Sequence, residues 1–570
     1  MKSSIKHYVL PFAVIMALVL TGYSFKSGIL DLGKQVEVFA ILYKQVTQNY
    51  VGEFDDEKIM RKGIDAMLGE LDPYTQFIPS SEIEDFKIKY INAQYAGLGA
   101  VILSKGGKTY ISEPYEGFPA EKSGLRAGDR LIKVDSIDVQ RLSGTEISNL
   151  LKGPVGSSLR LEIDRSGHNE HIVKNIVRQE ITQPNVSFSK KMEGHIGYIK
   201  LDRFLENAAD EVANTIEGFL STGKLQGLVL DLRNNGGGIL QESVKIVNLF
   251  VEKGRKVVTQ KGKNNRKQIV YQTTSEALIP DVPLIVLVNG RSASAAEIVA
   301  GALQDLDRAV VIGNQSFGKG LVQQTFQLPY DNMVKVTVAK YYTPSGRCIQ
   351  AIDYDKGERQ KGKESAKHEY LTSNGRFVYD GSGICPDVEV ESNNYSDLSQ
   401  ALVEEYLLFD FATQFRNKHK SIGKLENFKL DSIIYEQFVQ FVLHSDFDYK
   451  STSDSLLYQL GKALKNEKKW ELTQPEIQAL TEKLNKDLKG DLYLYKDEIA
   501  PLLANEIVSR YYFQKGRMEL AVKDDEALRK AYTILKNPTA SYTQILKGEG
   551  TYRYIGKKSP LLAHSSERDN

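Results

Sequence analysis

The spacing of apolar side chains changes character three times along the chain. Between residues 33 and 70 it is helical: Val36, Phe39, Ala40, Leu42 and Tyr43, then Ile59, Ile64, Met67 and Leu68. LDPYTQFIP, Leu71 to Pro79, stops that pattern with two prolines. From Tyr95 the pattern becomes short alternating runs (GAVILS, TYISEP, RLIKVD, SLRLEIDRSG, HIVKNIVR) set between glycine-rich turns, which predicts a small β-rich domain ending near Arg178. A third block, from about 179 to 395, alternates apolar strands (IGYIKL, GLVLDLR, PLIVLVNG, AVVIGN) with amphipathic helices (ADEVANTIEGFLSTG, LQESVKIVNLFV, SAAEIVAGALQD). That alternation predicts an α/β layer whose sheet is at least partly parallel. From about 398 glycine thins out and helical runs such as DLSQALVEEYLLFDFATQF and KDEIAPLLANEIVSRYYFQ take over. The expected organisation is therefore 1–28 a leader, 29–92 helical, 93–178 the β-rich domain, 179–397 the α/β core, 398–545 a helical region and 546–570 a polar tail.

Composition narrows the function classes. Apolar residues are 41% and charged residues 26% of 570, as in folded soluble chains, which excludes disordered, collagen-like and multi-spanning classes. Lys and Arg total 74 against 73 Asp and Glu, so no basic excess steers a phosphate backbone and nucleic acid is not an expected ligand. Two cysteines exclude a disulfide scaffold and a four-cysteine zinc site, and eight scattered histidines leave little for a metal centre. At the N-terminus Lys2 and Lys6 precede a run without charge up to Lys26. This reads as a cleaved signal or a retained single anchor, and either places the rest of the chain outside the cytoplasm. In that setting Cys348 and Cys385 can pair or remain buried thiols; the sequence does not choose.

Three segments carry candidate chemistry, and one motif is a decoy. GNQSFGK, Gly313–Lys319, fits a phosphate loop but has Gly320 where Ser or Thr would hold magnesium, and GLVQQTFQLP after it reads as a strand, not a helix. The first real candidate is NGRSASAAEIVAGALQD, residues 289–305. It sets Ser292 and Ser294 on a strand-to-helix turn, where backbone N–H groups and the helix dipole can stabilise an oxyanion. Locally the plainer reading is an N-cap serine, with Glu297 completing a capping box. No histidine of this block (His195 opens a strand; His168 and His171 flank a hairpin) sits beside an acid in a glycine-bounded loop. A base, if present, is then a lysine with a lowered pKa, and Lys319 between Gly318 and Gly320 is the candidate. DLRNNGGGIL, residues 231–240, ends a strand in glycines that allow a close backbone approach.

Together these segments resemble the C-terminal processing peptidases, or tail-specific proteases: serine peptidases with a Ser–Lys dyad and an embedded PDZ domain. The resemblance covers about residues 35–395. It rests on LDPYTQFIP, on YAGLGAVI (Tyr95–Ile102) as a PDZ carboxylate-binding loop, on FPAEKSGLRAGDRLIKVD, on DLRNNGGG, and on SASAAEIVAGALQD followed by SFGKGLVQQ. It implies an α/β peptidase core of ClpP/crotonase-like β-α layers with an inserted PDZ domain, N-terminal helices and a helical C-terminal region. Residue by residue, it implies Ser294 as nucleophile, Lys319 as general base and Gln323 as the side chain orienting that lysine. The backbone N–H groups of Gly237 and Ala295 would form an oxyanion hole, and Asp305 would be a supporting acid. Gly97, Leu98, Gly99 and Ala100 would bind the tail, with Leu98 and Ala100 favouring an apolar last residue. No cofactor or metal is implied. Gly236 departs from the family's usual proline and Ala296 from a common serine; neither change looks inactivating.

The expected partners are protein substrates bound through their C-termini, with adaptor binding or self-association open to the helical region. The expected site of action is the periplasm or cell envelope. A catalytically silent PDZ scaffold is the rival reading, opposed by the joint presence of Ser294, Lys319 and Gln323. A nucleotide-dependent enzyme built on the decoy loop is the other.

Overall fold

The computed structural model describes residues 33–91, 94–263, 268–351, 354–355, 358–359, 368–391, 395–484 and 487–548. The expected leader, 1–28, lies outside them, as does most of the polar tail; among the described residues no helix is long and apolar enough to cross a membrane. The chain divides into two compact units, residues 1–77 with 355–358, and the remainder. In the first unit, helices span 33–49 and Asp56–Gly69, and Asp55 caps the second by accepting from the Lys58 N–H.

The β-rich domain opens the second unit. Its sheet runs β1 (Ala100–Lys105), β2 (Lys108–Pro114), β3 (Arg130–Val134), β4 (Ser158–Asp164) and β5 (Ile172–Val177), antiparallel throughout. Helix α1 (Gly144–Leu151) starts at Ser143, whose side chain and that of Glu146 satisfy each other's backbone N–H groups in a capping box. Ile111, Leu131, Val134, Ile147, Leu159, Leu161 and Ile163 alternate inward to make a core of this domain's own. β1 is the edge strand, beside α1.

The α/β core is a six-stranded sheet: β6 (Val186–Met192), β7 (Ile196–Leu201), β8 (Gly227–Asp231), β9 (Leu284–Val288), β10 (Ala309–Gly313) and β11 (Val388–Glu389). Only the β6–β7 pair is antiparallel. The central strands are buried on both faces, which explains why they read as unbroken apolar runs. Helices α2 (Ala208–Ser221), α3 (Leu240–Asn248) and α4 (Ala295–Asp305) cover the face presenting Ile199, Leu230, Val286 and Val311. A second, antiparallel sheet includes Lys256–Gly262, Gln268–Gln272, Leu321–Gln327 and Met333–Tyr342. The segment expected to be a strand after the decoy loop is that third strand, so the loop has no helix N-terminus to offer a phosphate.

The other face of the main sheet, with Tyr198, Val229, Ile285, Leu287, Val310 and Ile312, is closed from the C-terminal region. There α8 (Glu526–Lys536) contributes Ala527, Leu528, Ala531, Ile534 and Leu535. The helical region is thus partly a layer of the α/β core. Its remainder has its own core, built around α5 (Leu407–Lys418), α6 (Ser432–Leu443) and α7 (Lys496–Lys523), the last broken at Phe513. The helical run over 397–415 forms two helices, because Tyr406 takes a left-handed conformation between them. This body touches the β-rich domain through polar contacts: Arg517 to Glu113 at 2.9 Å, Asn417 to the Ser166 carbonyl at 3.0 Å, and a Lys105–Asp410 ion pair.

Candidate active site

Neighbouring parallel strands bring the candidate residues together. β8, β9 and β10 end side by side, and the loops leaving them are DLRNNGGG, NGRSAS and NQSFGKG. Ser294 closes the second loop at the start of α4 with φ 57° and ψ −114°, a conformation outside the regions open to ordinary side chains. Surrounding bonds hold that strained turn. Ser292 is fully buried; its Oγ donates to the Leu232 carbonyl at 2.8 Å and accepts from the Asn289 N–H at 2.9 Å. The Ala293 N–H donates to the Asn235 carbonyl at 2.9 Å. Ser294 itself is half-buried.

Gly237 meets this turn at backbone distance. It has φ 95°, and a Cβ there would lie 2.8 Å from the Ser294 Cβ, 2.8 Å from the Ala293 carbonyl oxygen and 2.9 Å from the Ala295 nitrogen. Only glycine permits that approach. The Gly237 N–H donates to Asn235 Oδ1 at 2.9 Å, while Asn235 Nδ2 donates to the Leu201 carbonyl at 2.8 Å. Asn235, fully buried, therefore sets the shape of the glycine loop. At Gly236 a Cβ would meet nothing within 4 Å, so the absence of the family's proline leaves a gap, not a distortion.

Lys319 is half-buried in the third loop. Its glycines have a steric reason: a Cβ on Gly318 would come 2.3 Å from the Ala351 Cβ, and one on Gly320 would come 2.8 Å from the Gln350 nitrogen. The Phe317 N–H donates to the Ser292 carbonyl at 3.0 Å, and the Tyr341 hydroxyl donates to the Lys319 carbonyl. Gln323, on the next strand, donates from Nε2 to Thr337 Oγ1 at 3.2 Å, so Oε1 is the atom it can offer a lysine.

Glu297 was readable from sequence only as a capping residue, and its contacts go further. Oε2 accepts from the Ser294 N–H at 2.8 Å and the Lys319 N–H at 2.9 Å; Oε1 accepts from Ser316 Oγ at 2.5 Å and the Gly318 N–H at 2.7 Å. Burial pushes its carboxyl above the usual range, against the pull of these four donors. Asp305 lies elsewhere: it ends α4, about 16 Å from Ser294 by helical rise. It is buried against Arg347 at 2.8 Å and accepts the Ser345 N–H at 3.0 Å. Its partners give it a structural place. At the head of the first loop, burial raises the Asp231 carboxyl, but Arg233 and Lys200 outweigh that and hold it at about 2.

In the β-rich domain Gly99 has φ 73°, and a Cβ there would strike the Phe118 Cβ at 2.5 Å. The Leu98 carbonyl accepts the Ala120 N–H at 2.8 Å, and the Gly99 carbonyl accepts the Tyr115 N–H at 2.8 Å. Leu98 is 3% exposed and part of the domain's own core, so of the two apolar side chains expected to meet a tail, Ala100 keeps the accessible surface. Gly97, at the other end of the loop, is buried beside the Leu151 carbonyl. Histidines are engaged elsewhere: His171 with Glu162 at 2.8 Å and His368 with Asp380 at 3.0 Å. Cys348 and Cys385 are not joined in a disulfide.

This arrangement of an α/β core, strained serine turn, glycine loop and neighbouring β-rich domain defines a class, and comparison with known proteins agrees with it. Peptidase family S41 matches residues 195–356, a PDZ domain matches 110–165, and the C-terminal helical domain of probable PDZ-proteases matches 398–535. The carboxy-terminal-processing protease of Bartonella bacilliformis is 35% identical over 322 residues, 56% of this chain and 73% of that one. The carboxy-terminal processing protease CtpA of Bacillus subtilis is 32% identical over 342 residues, 60% of this chain and 72% of that one. Among solved structures, the photosystem II D1 C-terminal processing protease is 26% identical, covering 62% of this chain and 86% of that one with a TM-score of 0.34. The chain belongs to the carboxy-terminal processing proteases, the PDZ-containing serine peptidases of family S41.

Proposed function

We propose that this chain is an exported serine endopeptidase that binds protein C-termini through its PDZ domain and cleaves the attached chain with a Ser294–Lys319 dyad. The observation that carries the reading is the contact of the Gly237 backbone with the Ser294 turn, because it sets two main-chain amides, Gly237 and Ala295, beside a strained serine. Neutral Lys319 accepts the Ser294 hydroxyl proton as Oγ attacks the scissile carbonyl. The amides of Ala295 and Gly237 stabilise the oxyanion, the latter by sharing or exchanging its bond to Asn235 Oδ1. Protonated Lys319 returns the proton to the leaving amine, and water, deprotonated by the same lysine, releases the acyl group. Gln323 Oε1 holds the lysine's position between these steps.

For the tail, edge strand β1 accepts an added strand, with the N–H groups of the Gly97–Ala100 loop meeting the terminal carboxylate. Export rests on the basic start and uncharged run of residues 2–25. The test is cleavage of an unstructured reporter by the full chain, on tails ending in apolar or charged residues, beside Ser294→Ala and Lys319→Ala. Loss in both variants and faster cleavage of apolar tails are expected. Cleavage by Ser294→Ala would dismiss the nucleophile, and indifference to the tail would dismiss the PDZ role.

A further inference from the structure

The proposed nucleophile and base are 25 residues apart, and strand pairing alone does not position them against each other. β9 and β10 are locked in register up to Val288 and Gly313. Ser294 and Lys319 each sit six residues beyond those ends, in loops whose freedom would blur their separation. Glu297 spans that gap. From the first turn of α4 its carboxylate receives the N–H of Ser294 on one side and the N–H groups of Gly318 and Lys319 and the hydroxyl of Ser316 on the other. Ser316 Oγ in turn accepts the Ile384 N–H at 2.6 Å, which ties the cluster to the segment leading into β11.

We infer that Glu297 is a positioning residue for catalysis, a buried strut that fixes the Ser294 turn and the Lys319 loop in the one relative placement where proton transfer can occur. Several observations make it more than a helix cap. A cap needs one oxygen, and here both carboxylate oxygens are doubly used. Three of the four donors belong to the lysine loop, 19 to 22 residues away. The side chain is fully buried, which for an acid is costly unless each lone pair is satisfied. An amide is a poor replacement: Gln presents one accepting oxygen, and in either orientation its NH2 group would face at least one N–H donor. Because the Glu297 carboxylate holds the main chain of both loops, its removal should leave substrate binding alone and slow the chemical step, where a displacement of about 1 Å costs on the order of 100-fold.

The inference rests on the Ser294–Lys319 reading, and the experiment separates the two. Steady-state cleavage of an apolar-tailed reporter is measured for the full chain and for Ser294→Ala, Glu297→Gln, Ser316→Ala and the double variant Glu297→Gln/Ser316→Ala, with thermal melts alongside. Expected are a kcat about 100-fold lower in Glu297→Gln with KM within about threefold of the parent. Ser316→Ala, which removes one bond of the four, should lower kcat by roughly 2- to 10-fold with an unchanged melt. The double variant should lie within about threefold of Glu297→Gln alone, because both act through one cluster. A Glu297→Gln kcat within about threefold of the parent, an effect confined to KM, or multiplicative losses in the double variant would each overturn the inference. Should Glu297→Gln not fold, Ser316→Ala decides: lowered kcat at constant KM supports the strut, and unchanged kcat overturns it. If Ser294→Ala itself cleaves, the dyad reading fails first; if Ser294→Ala is silent and Glu297→Gln is not, only the strut fails.

Discussion

Substituting Gly237 by alanine tests how closely the glycine loop must approach the nucleophile. The new Cβ would stand 2.8 Å from the Ser294 Cβ and from the Ala293 carbonyl oxygen, and 2.9 Å from the Ala295 nitrogen. Ordinary contacts at these atoms need roughly 3.5–4 Å, so one loop must retreat by nearly 1 Å. Two of the three atoms are main chain, bound on the nucleophile side through Ser292 and Asn235, and cannot rotate away. The φ of 95° adds about 1–2 kcal/mol of strain for any residue with a Cβ. A retreat on that scale, with an oxyanion donor moved as well, corresponds to a loss of roughly 100- to 1,000-fold in kcat. Binding of the tail at the PDZ domain should not change. Gly236→Ala supplies the control one residue away, because its Cβ meets nothing within 4 Å, and its activity should stay within about twofold of the parent. The assay is kcat and KM on an apolar-tailed reporter, with tail affinity measured separately by peptide titration. Full activity in Gly237→Ala, or equal damage from Gly236→Ala, would show that the close approach of Gly237 to the Ser294 turn does not set the rate.

Two further outcomes follow from buried charges. Asp305→Ala leaves the Arg347 guanidinium, 1% exposed, without its carboxylate partner and should cost about 3–5 kcal/mol in chemical denaturation; a loss below about 1 kcal/mol would show that the pair contributes little. Asp231 is held at about 2 when folded against an ordinary value of 3.8, so its contribution, on the order of 2 kcal/mol, is complete above about pH 4 and is lost as pH falls toward 2. Asp231→Asn should therefore flatten the acid limb of stability between about pH 4 and 2, and an unchanged limb would contradict the pairing with Arg233 and Lys200.

The parts of this protein that were readable from sequence are those whose reasons are local. DLRNNGGG, SASAAE and SFGKG each combine an apolar strand with small residues at its end, and a strand ending in glycines or serines announces a loop with close contacts. The break of the decoy loop was legible too, because LVQQTF alternates as a strand does. What escaped depends on partners far along the chain. Glu297 completes a cap whether or not a lysine loop lies beside it; its second function depends on Ser316, Gly318 and Lys319, and spacing alone does not reveal that they fold back onto it. Asn235 looks like any turn asparagine until the Leu201 carbonyl and the Gly237 amide are seen on its two ends. The apolar face of α8 shows that the helix packs, not that it closes the second face of a sheet begun some 340 residues earlier. β11 has two residues, too short for any period to register. Leu98 shows the reverse case: in a loop motif it reads as ligand-facing, while three-dimensional packing turns it into the domain core.

The central claim is that Ser294 is a nucleophile activated by Lys319. The most direct test is covalent: the full chain is treated with a fluorophosphonate and the adduct is located by peptide mass, in the parent and in Lys319→Ala. The account predicts a single phosphonylated residue, Ser294, with labelling abolished or slowed by at least about 100-fold in Lys319→Ala. An adduct on another serine, or labelling of Ser294 at the parental rate without Lys319, would contradict it.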